Sequence, residues 1–206
     1  MKEEERKLSA AEQRRADALE ELSRKLEEEG YTRKEKTVSI IRANVISVVA
    51  MIPVFAIGMY LFFRINAPER IDFNSLFVFA VMLVLVVVHE LLHGATWALF
   101  SENHWQDIEF GFMKELLTPY CTCRVPLKRS AYLAGSLMPL IVLGIIPFFI
   151  SLFNGSFNLL MISLVMMLAA TGDIIVSIMM VAYRSEASEI IFLDHPYKAG
   201  FLVFER

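Results

Sequence analysis

Residues 89–93 read His-Glu-Leu-Leu-His, an arrangement that can bind a metal ion and use it to activate water. On an α-helix the two histidines lie about one turn apart on a single face, so both imidazoles can reach one ion. Glu90 projects near that same face, where its carboxylate can act as a base on water bound to the metal. The motif therefore predicts hydrolytic chemistry at a metal held by His89 and His93.

The motif lies inside an apolar run, from Asn74 to Phe100, that is long enough to cross a membrane. In hydrocarbon, each charged side chain at a helix centre costs about 2.5–3.5 kcal/mol on insertion scales. Two histidines and a glutamate in a single turn therefore need a compensating partner. A metal ion can serve, since structural zinc sites supply roughly 10–16 kcal/mol. We therefore expect a membrane-embedded site that binds Zn²⁺.

The composition is that of a membrane protein. Hydrophobic residues make up 56% of the 206 residues and the mean hydropathy is +0.51, whereas soluble domains are about 45–50% apolar. The formal net charge of −3 gives no indication of a nucleic-acid partner. Cys121 and Cys123 are too few and too close for a disulfide framework. No apolar segment lies near enough to the first residue for a cleavable signal peptide, so the spans are expected to direct insertion.

The N-terminal segment, Lys2–Glu29, is rich in Glu, Lys and Arg. Leu19, Leu22 and Leu26 follow a helical spacing within it, which predicts a charged helix with a narrow apolar stripe that ends at Gly30. A solvated surface helix or a short coiled coil explains this pattern. The alternative is a regulatory arm that binds a partner.

Four apolar stretches follow, and each is near or above the roughly 20 residues that span a hydrocarbon core. They run over Val38–Phe63, Asn74–Phe100, Ala131–Leu152 and Phe157–Ala182. We therefore predict an all-α integral membrane protein with four transmembrane helices. Prolines within these stretches predict tolerated kinks, and the small residues 134–136 predict close helix packing.

The distribution of Lys and Arg predicts the orientation of the chain. About eleven of these residues precede or begin the first stretch, about four lie between Ser101 and Ser130, and about three follow the fourth stretch. Arg64 and Arg70 are the ones between the first two stretches, and none falls between the last two. We therefore expect a multi-pass protein of the cell membrane. Both termini and the connection between stretches two and three are expected in the reducing cytoplasm.

The connection Ser101–Leu127 contains two segments in which polar and apolar residues alternate, Ile108–Phe112 and Tyr120–Val125. They predict a β-hairpin that turns around Lys114–Pro119 at the membrane surface. One interpretation is that the hairpin caps the helix bundle. The functional interpretation is that its open edge receives an extended substrate peptide by strand addition beside the metal.

A catalytic zinc has three protein ligands and one open position, so the two histidines need one further ligand. Asp173 is the one charged residue in the fourth stretch, and the cores of the first and third stretches contain neither a charged residue nor a histidine. Stretches two and four run in the same direction, and His89 and Asp173 lie about 15 and 16 residues after the starts of their stretches. The sequence therefore predicts Asp173 as the third ligand. Gly94 and Gly172 are expected to let the two helices approach closely.

Other groups are weaker candidates for metal binding. His104 follows the second stretch and is typical of an interfacial histidine, and His195 lies in an Asp-His-Pro sequence typical of a turn. Cys121 and Cys123 would share one face of a strand, which is a poor metal signal by itself. The methionines of the fourth stretch indicate membrane packing rather than a copper site.

Several of these segments resemble a family of small bacterial membrane proteins described as putative zincin peptidases. The similar segments are HELLHG, FGF with the later TPYC, the Gly172-Asp173 pair and DHPYKAGF from Asp194 to Phe201. The resemblance extends from about Gly30 onward and implies zinc and peptide-bond hydrolysis, without a substrate. The family is more distantly similar to the site-2 proteases, which place HExxH on one transmembrane helix and a ligating Asp on another. In those enzymes the Asp precedes a glycine, whereas here Gly172 precedes Asp173.

These inferences predict four transmembrane helices, a short β-hairpin between helices two and three, and a charged N-terminal helix. Residues 1–37 form a cytoplasmic arm, 38–183 a membrane-embedded metallopeptidase domain, and 184–206 a cytoplasmic tail. The predicted function is a zinc metalloendopeptidase that cleaves a peptide or membrane-protein substrate in the bilayer, with Glu90 as base.

Two alternatives stand beside this prediction: a membrane metal transporter or sensor, and a non-catalytic scaffold that retains a zinc site. A transporter usually has several polar residues spread across the bilayer, whereas here they form one cluster at one depth. A purely structural site gains nothing from an unliganded Glu90. The sequence leaves the substrate and the oligomeric state open.

Overall fold

The structure is a computed structural model that describes residues 10–113, 118–196 and 198–206. Most of it is helical. The helices are α1 (Ala10–Glu28), α2 (Ile40–Asn66), α3 (Ser75–Ala98), α4 (Arg129–Pro139), α5 (Ile146–Asn154), α6 (Phe157–Ala169) and α7 (Thr171–Ala182). The strands are β1 (Thr32–Val38), β2 (Ile108–Met113), β3 (Thr118–Cys123), β4 (Leu127–Lys128), β5 (Ile190–Asp194) and β6 (Ala199–Glu205).

Within the described residues, three helices are long and apolar enough to cross a membrane: Ile41–Asn66, Ser75–Ala98 and Arg129–Asn154. The pair α6 and α7, bent by 45°, passes the same test when it is counted as one broken span. The outer faces of α2 and α3 expose large aliphatic and aromatic side chains, as expected of surfaces that contact lipid. The chain is therefore compatible with a membrane protein of three or four spans.

The helix Arg129–Asn154 is continuous but not uniform. Its middle, Leu140–Ile145, is π-helical and joins α4 to α5. Pro139 and Pro147 lie at the two borders of this segment. Proline has no N–H to donate to the preceding turn, so the hydrogen-bond ladder must shift near these positions.

The fourth apolar stretch is not the single helix that the sequence predicts. The chain breaks at Ala170, whose ψ of 1° departs from the helical range, and α7 begins at Thr171. The Thr171 hydroxyl donates to the Leu168 carbonyl at 2.6 Å and so satisfies a group left free at the break. As a result Asp173 lies in the first turn of a new helix, where the positive end of the helix dipole stabilises a carboxylate.

A four-stranded antiparallel sheet corrects the all-α prediction. Its strand order is β1-β6-β5-β4, so the end of the N-terminal arm and the C-terminal tail pair with each other. Lys34 lies opposite Val203, and Phe192 lies opposite the same valine on the other side. The charged β1 gave no alternating apolar signal because it is an edge strand, where lysines are tolerated and oppose further strand pairing.

The two faces of the sheet are buried against different partners. Phe192, Phe201 and Val203 pack towards α3 and α4, in a cluster that includes Trp97 and Tyr132. Leu193, Leu202 and Phe204 form a second cluster on the opposite face with Leu19, Leu26 and the partly buried Leu22 of α1. The leucine stripe of the predicted charged helix therefore covers the sheet. Residues 2–9 of that predicted helix lie outside the described residues.

Strands β2 and β3 pair antiparallel in a separate two-stranded sheet, between the second and third long apolar helices. Phe110 lies opposite Cys121, and Ile108 lies opposite Cys123. The turn predicted around Lys114–Pro119 falls largely on residues 114–117, which lie outside the described residues. One face of this pair packs against α3, at the level of the His-Glu-Leu-Leu-His turn.

Candidate metal centre

Helix α3 presents its two histidines side by side. The Nε2 atoms of His89 and His93 are 3.1 Å apart, and their ring centroids are 4.8 Å apart in an edge-to-face arrangement. Both side chains are buried, at 7% and 4% exposure. The i, i+4 spacing thus directs two ring nitrogens at one point in the interior.

Asp173 reaches the same point from α7. One carboxylate oxygen lies 3.2 Å from Nε2 of His89, and the other lies 3.5 Å from Nε2 of His93. Among the described residues, these three side chains form the one group of at least three His, Cys, Asp or Glu that could hold a metal ion. The structure therefore brings together the three residues that the sequence selects as ligands.

The three side chains lie close enough together to share a zinc ion. Ligand atoms at about 2.0–2.1 Å from the centre of a tetrahedron lie roughly 3.3–3.4 Å from one another. The two Nε2 atoms are 3.1 Å apart, and Asp173 places one oxygen 3.2 Å from that of His89 and its other oxygen 3.5 Å from that of His93. With one atom taken from each residue, the whole set lies within 4.8 Å. Two imidazoles and a carboxylate are also a donor set that catalytic zinc commonly takes, with one position left for water.

A hydrogen bond fixes the tautomer of His93. Its Nδ1 lies 2.9 Å from the backbone oxygen of Gly135. A carbonyl can only accept, so Nδ1 carries the proton, and the lone pair of Nε2 is available to a metal ion between His93, His89 and Asp173. Nδ1 of His89 is buried and has no hydrogen-bond partner among the described residues. The nitrogen that points away from the metal position, Nδ1, therefore has a hydrogen-bond partner in His93 but none among the described residues in His89.

Trp97 and Gly135 hold the His93 ring in place. The indole of Trp97 stacks on the imidazole, with centroids 5.2 Å apart and planes at 17°, and its Nε1 donates to the Tyr132 carbonyl at 3.1 Å. A Cβ on Gly135 would lie 2.1–2.7 Å from three atoms of the indole ring. The missing side chain of Gly135 therefore lets α4 approach α3 closely enough for its carbonyl to meet His93. This close approach agrees with the small-residue surface predicted at 134–136.

Helices α4 and α7 also meet at the centre. The hydroxyl of Ser136 donates to the backbone oxygen of Asp173 at 3.4 Å, and Ser177 donates to the Ser136 hydroxyl at 3.2 Å. Both serines are buried. These contacts fix the first turn of α7 against α4, so the Asp173 carboxylate is held by helix packing as well as by the histidines.

Glu90 lies next to the cluster without belonging to it. Its side chain is half-buried and lies outside the three-residue group. Gly94, one turn further along α3, packs against the hairpin, so the hairpin lies on the side of α3 that carries the predicted base. A carboxylate beside a metal-binding turn, but free of the metal, is available to move a proton.

Two positions on one edge of β3 cannot donate to an added strand. Pro119 has no N–H, and the N–H of Cys123 already donates to the Asp194 carboxylate at 3.3 Å. These two positions weigh against strand addition at this edge of the hairpin.

The weaker ligand candidates lie apart from the group. Nδ1 of His104 bonds to the Ala98 carbonyl at 2.8 Å, in the turn after α3. His195 lies 3.2 Å from a carboxylate oxygen of Glu35, at the end of β5. Cys121 and Cys123 do not join the three-residue group.

The expected roles of two glycines are wrong. The atoms nearest to a Cβ at Gly94 would belong to Phe110, Ile108 and Cys121, so this glycine makes room for the hairpin rather than for α7. A Cβ on Gly172 would meet nothing within 4 Å, so this glycine is not needed for helix packing. Helix approach at the centre depends instead on Gly135.

Sequence reasoning missed the groups that position the ligands. Trp97 lies one further turn along α3 from His93, and this i, i+4 spacing could have predicted that the indole contacts the imidazole. The roles of Tyr132 and Asp194 carry no local signal, because both depend on contacts between segments far apart in the chain. The DHPYKAGF segment marked the region of Asp194 without indicating what it contacts.

Comparison with known families supports the same chemistry. The family model described as "putative zincin peptidase" matches residues 82–188, which include the three candidate ligands and Glu90. Comparison with curated proteins and with solved structures gives no match.

Gly135→Ala should destabilise the protein, because its methyl group must displace the Trp97 indole or separate α4 from α3. We expect a loss of about 1–3 kcal/mol, measured as a lower thermal unfolding midpoint in detergent. Gly172→Ala is the matched control, since it faces open space and should leave the midpoint unchanged or raise it. Equal midpoints for the two variants would contradict the close packing at Gly135.

Proposed function

Because the chain belongs to the family of putative zincin peptidases, we propose that it is a membrane-embedded zinc metalloendopeptidase. The observation that carries the proposal is the convergence of His89, His93 and Asp173, with their ligand atoms within 4.8 Å of one another, directly beside Glu90. The family description supports peptidase chemistry, and the ligand set supports zinc.

His89 and His93 would hold the ion through Nε2, and Asp173 would hold it through its carboxylate. The set is neutral imidazole plus carboxylate, which leaves one positive charge on a bound dication and keeps it an effective Lewis acid. When bound, zinc supplies polarisation of the scissile carbonyl and a lowered pKa for its coordinated water. The Gly135 carbonyl serves this arrangement by keeping the proton of His93 on Nδ1.

Glu90 would be the catalytic residue that moves protons. Its carboxylate accepts a proton from the attacking water and then delivers it to the amide nitrogen of the leaving segment. Glu90 is half-buried and adjacent to His89, yet it lies outside the group of potential ligands. A carboxylate in this position suits a base better than a fourth ligand.

The transporter alternative is less well supported. A path for an ion needs several polar groups in succession across the bilayer. In the part of the chain that the structure describes, one group of potential ligands is present, and it lies at the level of the break between α6 and α7. A single centre with an adjacent carboxylate outside the ligand group fits hydrolysis.

The substrate would be a peptide or a segment of a membrane protein. The charge distribution supports an orientation in which both termini and the hairpin lie in the cytoplasm. Substrate and water would then enter from the cytoplasm or laterally between the helices. No nucleic acid is involved in this proposal, since the net charge of −3 provides no basic surface for one.

Glu90→Gln should keep the fold and the zinc but abolish hydrolysis, because an amide cannot accept a proton from water. The measurement is cleavage of a quenched fluorescent peptide library by zinc-loaded protein in detergent, with zinc content determined by mass spectrometry. Glu102→Gln is the control, since Glu102 is exposed and lies outside the cluster, so it should retain activity. Cleavage at the wild-type rate in Glu90→Gln would exclude Glu90 as the base.

The proposed topology has four spans with both ends in the cytoplasm. Reporter fusions after Phe204 should give a cytoplasmic signal, because Lys and Arg concentrate on that side. Fusions near Pro68 or Gly155 should give an external signal. A cytoplasmic signal at Gly155 would contradict the orientation and the parallel course of α3 with the α6–α7 pair.

A further inference from the structure

Two adjoining open cavities lie where α4 begins and α7 ends, beside β5. Their volumes are about 330 and 620 Å³, which is within the roughly 300–1,000 Å³ of small-molecule sites. Both cavities are lined by Arg129, Ser188 and Ile190. Arg184 lines the smaller cavity, and Lys128 lines the larger one. Three basic side chains are therefore gathered around two cavities that share a wall.

These three side chains have donors to offer a ligand. Nη2 of Arg129 donates to the Tyr183 carbonyl at 3.1 Å, and its guanidinium carbon lies 5.3 Å from the centre of the Phe192 ring. A guanidinium has five N–H donors, and one of those of Arg129 is bonded within the described residues. Lys128 and Arg184 are exposed, and among the described residues their side chains make no hydrogen bond or ion pair. The cavities therefore combine one fixed cation with two unpaired ones.

The carboxylates nearby do not cancel this charge. Glu189 lines the larger cavity, but its Oε2 accepts from Nη2 and Nε of Arg206 at 2.8 and 3.1 Å. Glu186 is exposed and lines neither cavity. The walls thus keep a positive charge, which attracts an anion. Guanidinium and ammonium groups are the side chains that proteins use to bind phosphate.

The position of the cavities favours the phosphate of a lipid over a soluble one. Arg129 begins one candidate membrane span, and the bent pair of α6 and α7 ends at Ala182. The bond from Arg129 to Tyr183 brings these two ends together on one side of the helices. The last turns of α7 also expose Ile178 and Val181, at 62% and 53%, and their i, i+3 spacing places both on one face. A basic cavity at the end of a span, next to an exposed apolar strip, matches the two parts of a phospholipid.

We propose that these cavities bind the headgroup of an anionic phospholipid, with Lys128, Arg129 and Arg184 around its phosphate and the acyl chains along the apolar strip of α7. Basic pockets between transmembrane helices are a known mode of headgroup binding. Neither cavity is lined by the candidate zinc ligands or by Glu90, so the lipid site does not depend on hydrolysis. A lipid bound here would bridge the start of α4, the end of α7 and β5.

The test compares two lipids on the full chain purified in detergent, dioleoyl phosphatidylglycerol and the zwitterionic dioleoyl phosphatidylcholine. Native mass spectrometry gives the apparent Kd of the first bound lipid. The wild type should bind phosphatidylglycerol at least about tenfold more tightly, since each Lys or Arg near an anionic lipid contributes roughly fivefold. Lys128→Gln/Arg184→Gln should weaken phosphatidylglycerol binding by about 10- to 25-fold and leave phosphatidylcholine binding unchanged.

The matched control is Arg24→Gln/Arg42→Gln, which also removes two exposed cations. Arg24 lies on α1 and Arg42 in the first turn of α2, and neither lines the cavities. This control should keep the preference for phosphatidylglycerol. An equal loss in both double variants would show attraction by general surface charge and overturn the site, as would an unchanged preference in Lys128→Gln/Arg184→Gln. Arg184→Gln alone, with a loss of about fivefold, serves if that double variant fails to fold.

Inorganic phosphate separates the two sources of the anion. At millimolar concentration it should change the apparent Kd for phosphatidylglycerol by less than about twofold, because it has no acyl chains to place on the apolar strip. Displacement of the lipid by inorganic phosphate would show a site for soluble phosphate and overturn the lipid assignment.

Discussion

Two imidazoles and one carboxylate converge at a single point among apolar helices, and this convergence constrains most of the surrounding structure. None of these groups can face hydrocarbon without a large cost in free energy. Each is therefore directed inward, at 3.1–3.5 Å from its nearest neighbour in the group. The two histidines of α3 supply only two ligands, so a third ligand must come from another helix. Asp173 of α7 occupies that place, and α7 therefore lies against the site on α3.

The backbone departs from regular structure where this convergence requires it. The break at Ala170 begins a new helix just before Asp173, so the carboxylate gains the positive end of a helix dipole. Because Gly135 has no side chain, α4 comes close enough for its carbonyl to accept a hydrogen bond from His93 and for its backbone to contact Trp97. Beyond these helices, a sheet covered by α1 supports β5, and Asp194 on β5 accepts hydrogen bonds from β3 and from Tyr132 of α4. The N-terminal and C-terminal segments of the chain therefore form the sheet that packs beside the candidate site.

The candidate site was largely predictable from two kinds of sequence signal: a short motif on one helix, and a charged residue that is alone in its apolar stretch. The His89–His93 pair follows from helical spacing, and Asp173 follows from being the one acid in its stretch together with a count of residues along parallel helices. The four-stranded sheet was not predictable in this way. Strand β1 is charged along an exposed edge, and β6 is buried on both faces, so neither shows the alternation that identifies a half-buried strand. The break at Ala170 and the contacts of Asp194 arise from packing between distant segments, which composition and spacing do not encode.

The central claim is that His89, His93 and Asp173 bind one zinc ion. The direct measurement is the zinc content per chain of protein loaded with Zn²⁺ and freed of excess metal, for the wild type and for His93→Ala, Asp173→Asn and His104→Ala. We expect about one zinc per chain in the wild type and in His104→Ala, little in His93→Ala, and a clear reduction in Asp173→Asn. Full zinc content in both His93→Ala and Asp173→Asn would contradict it.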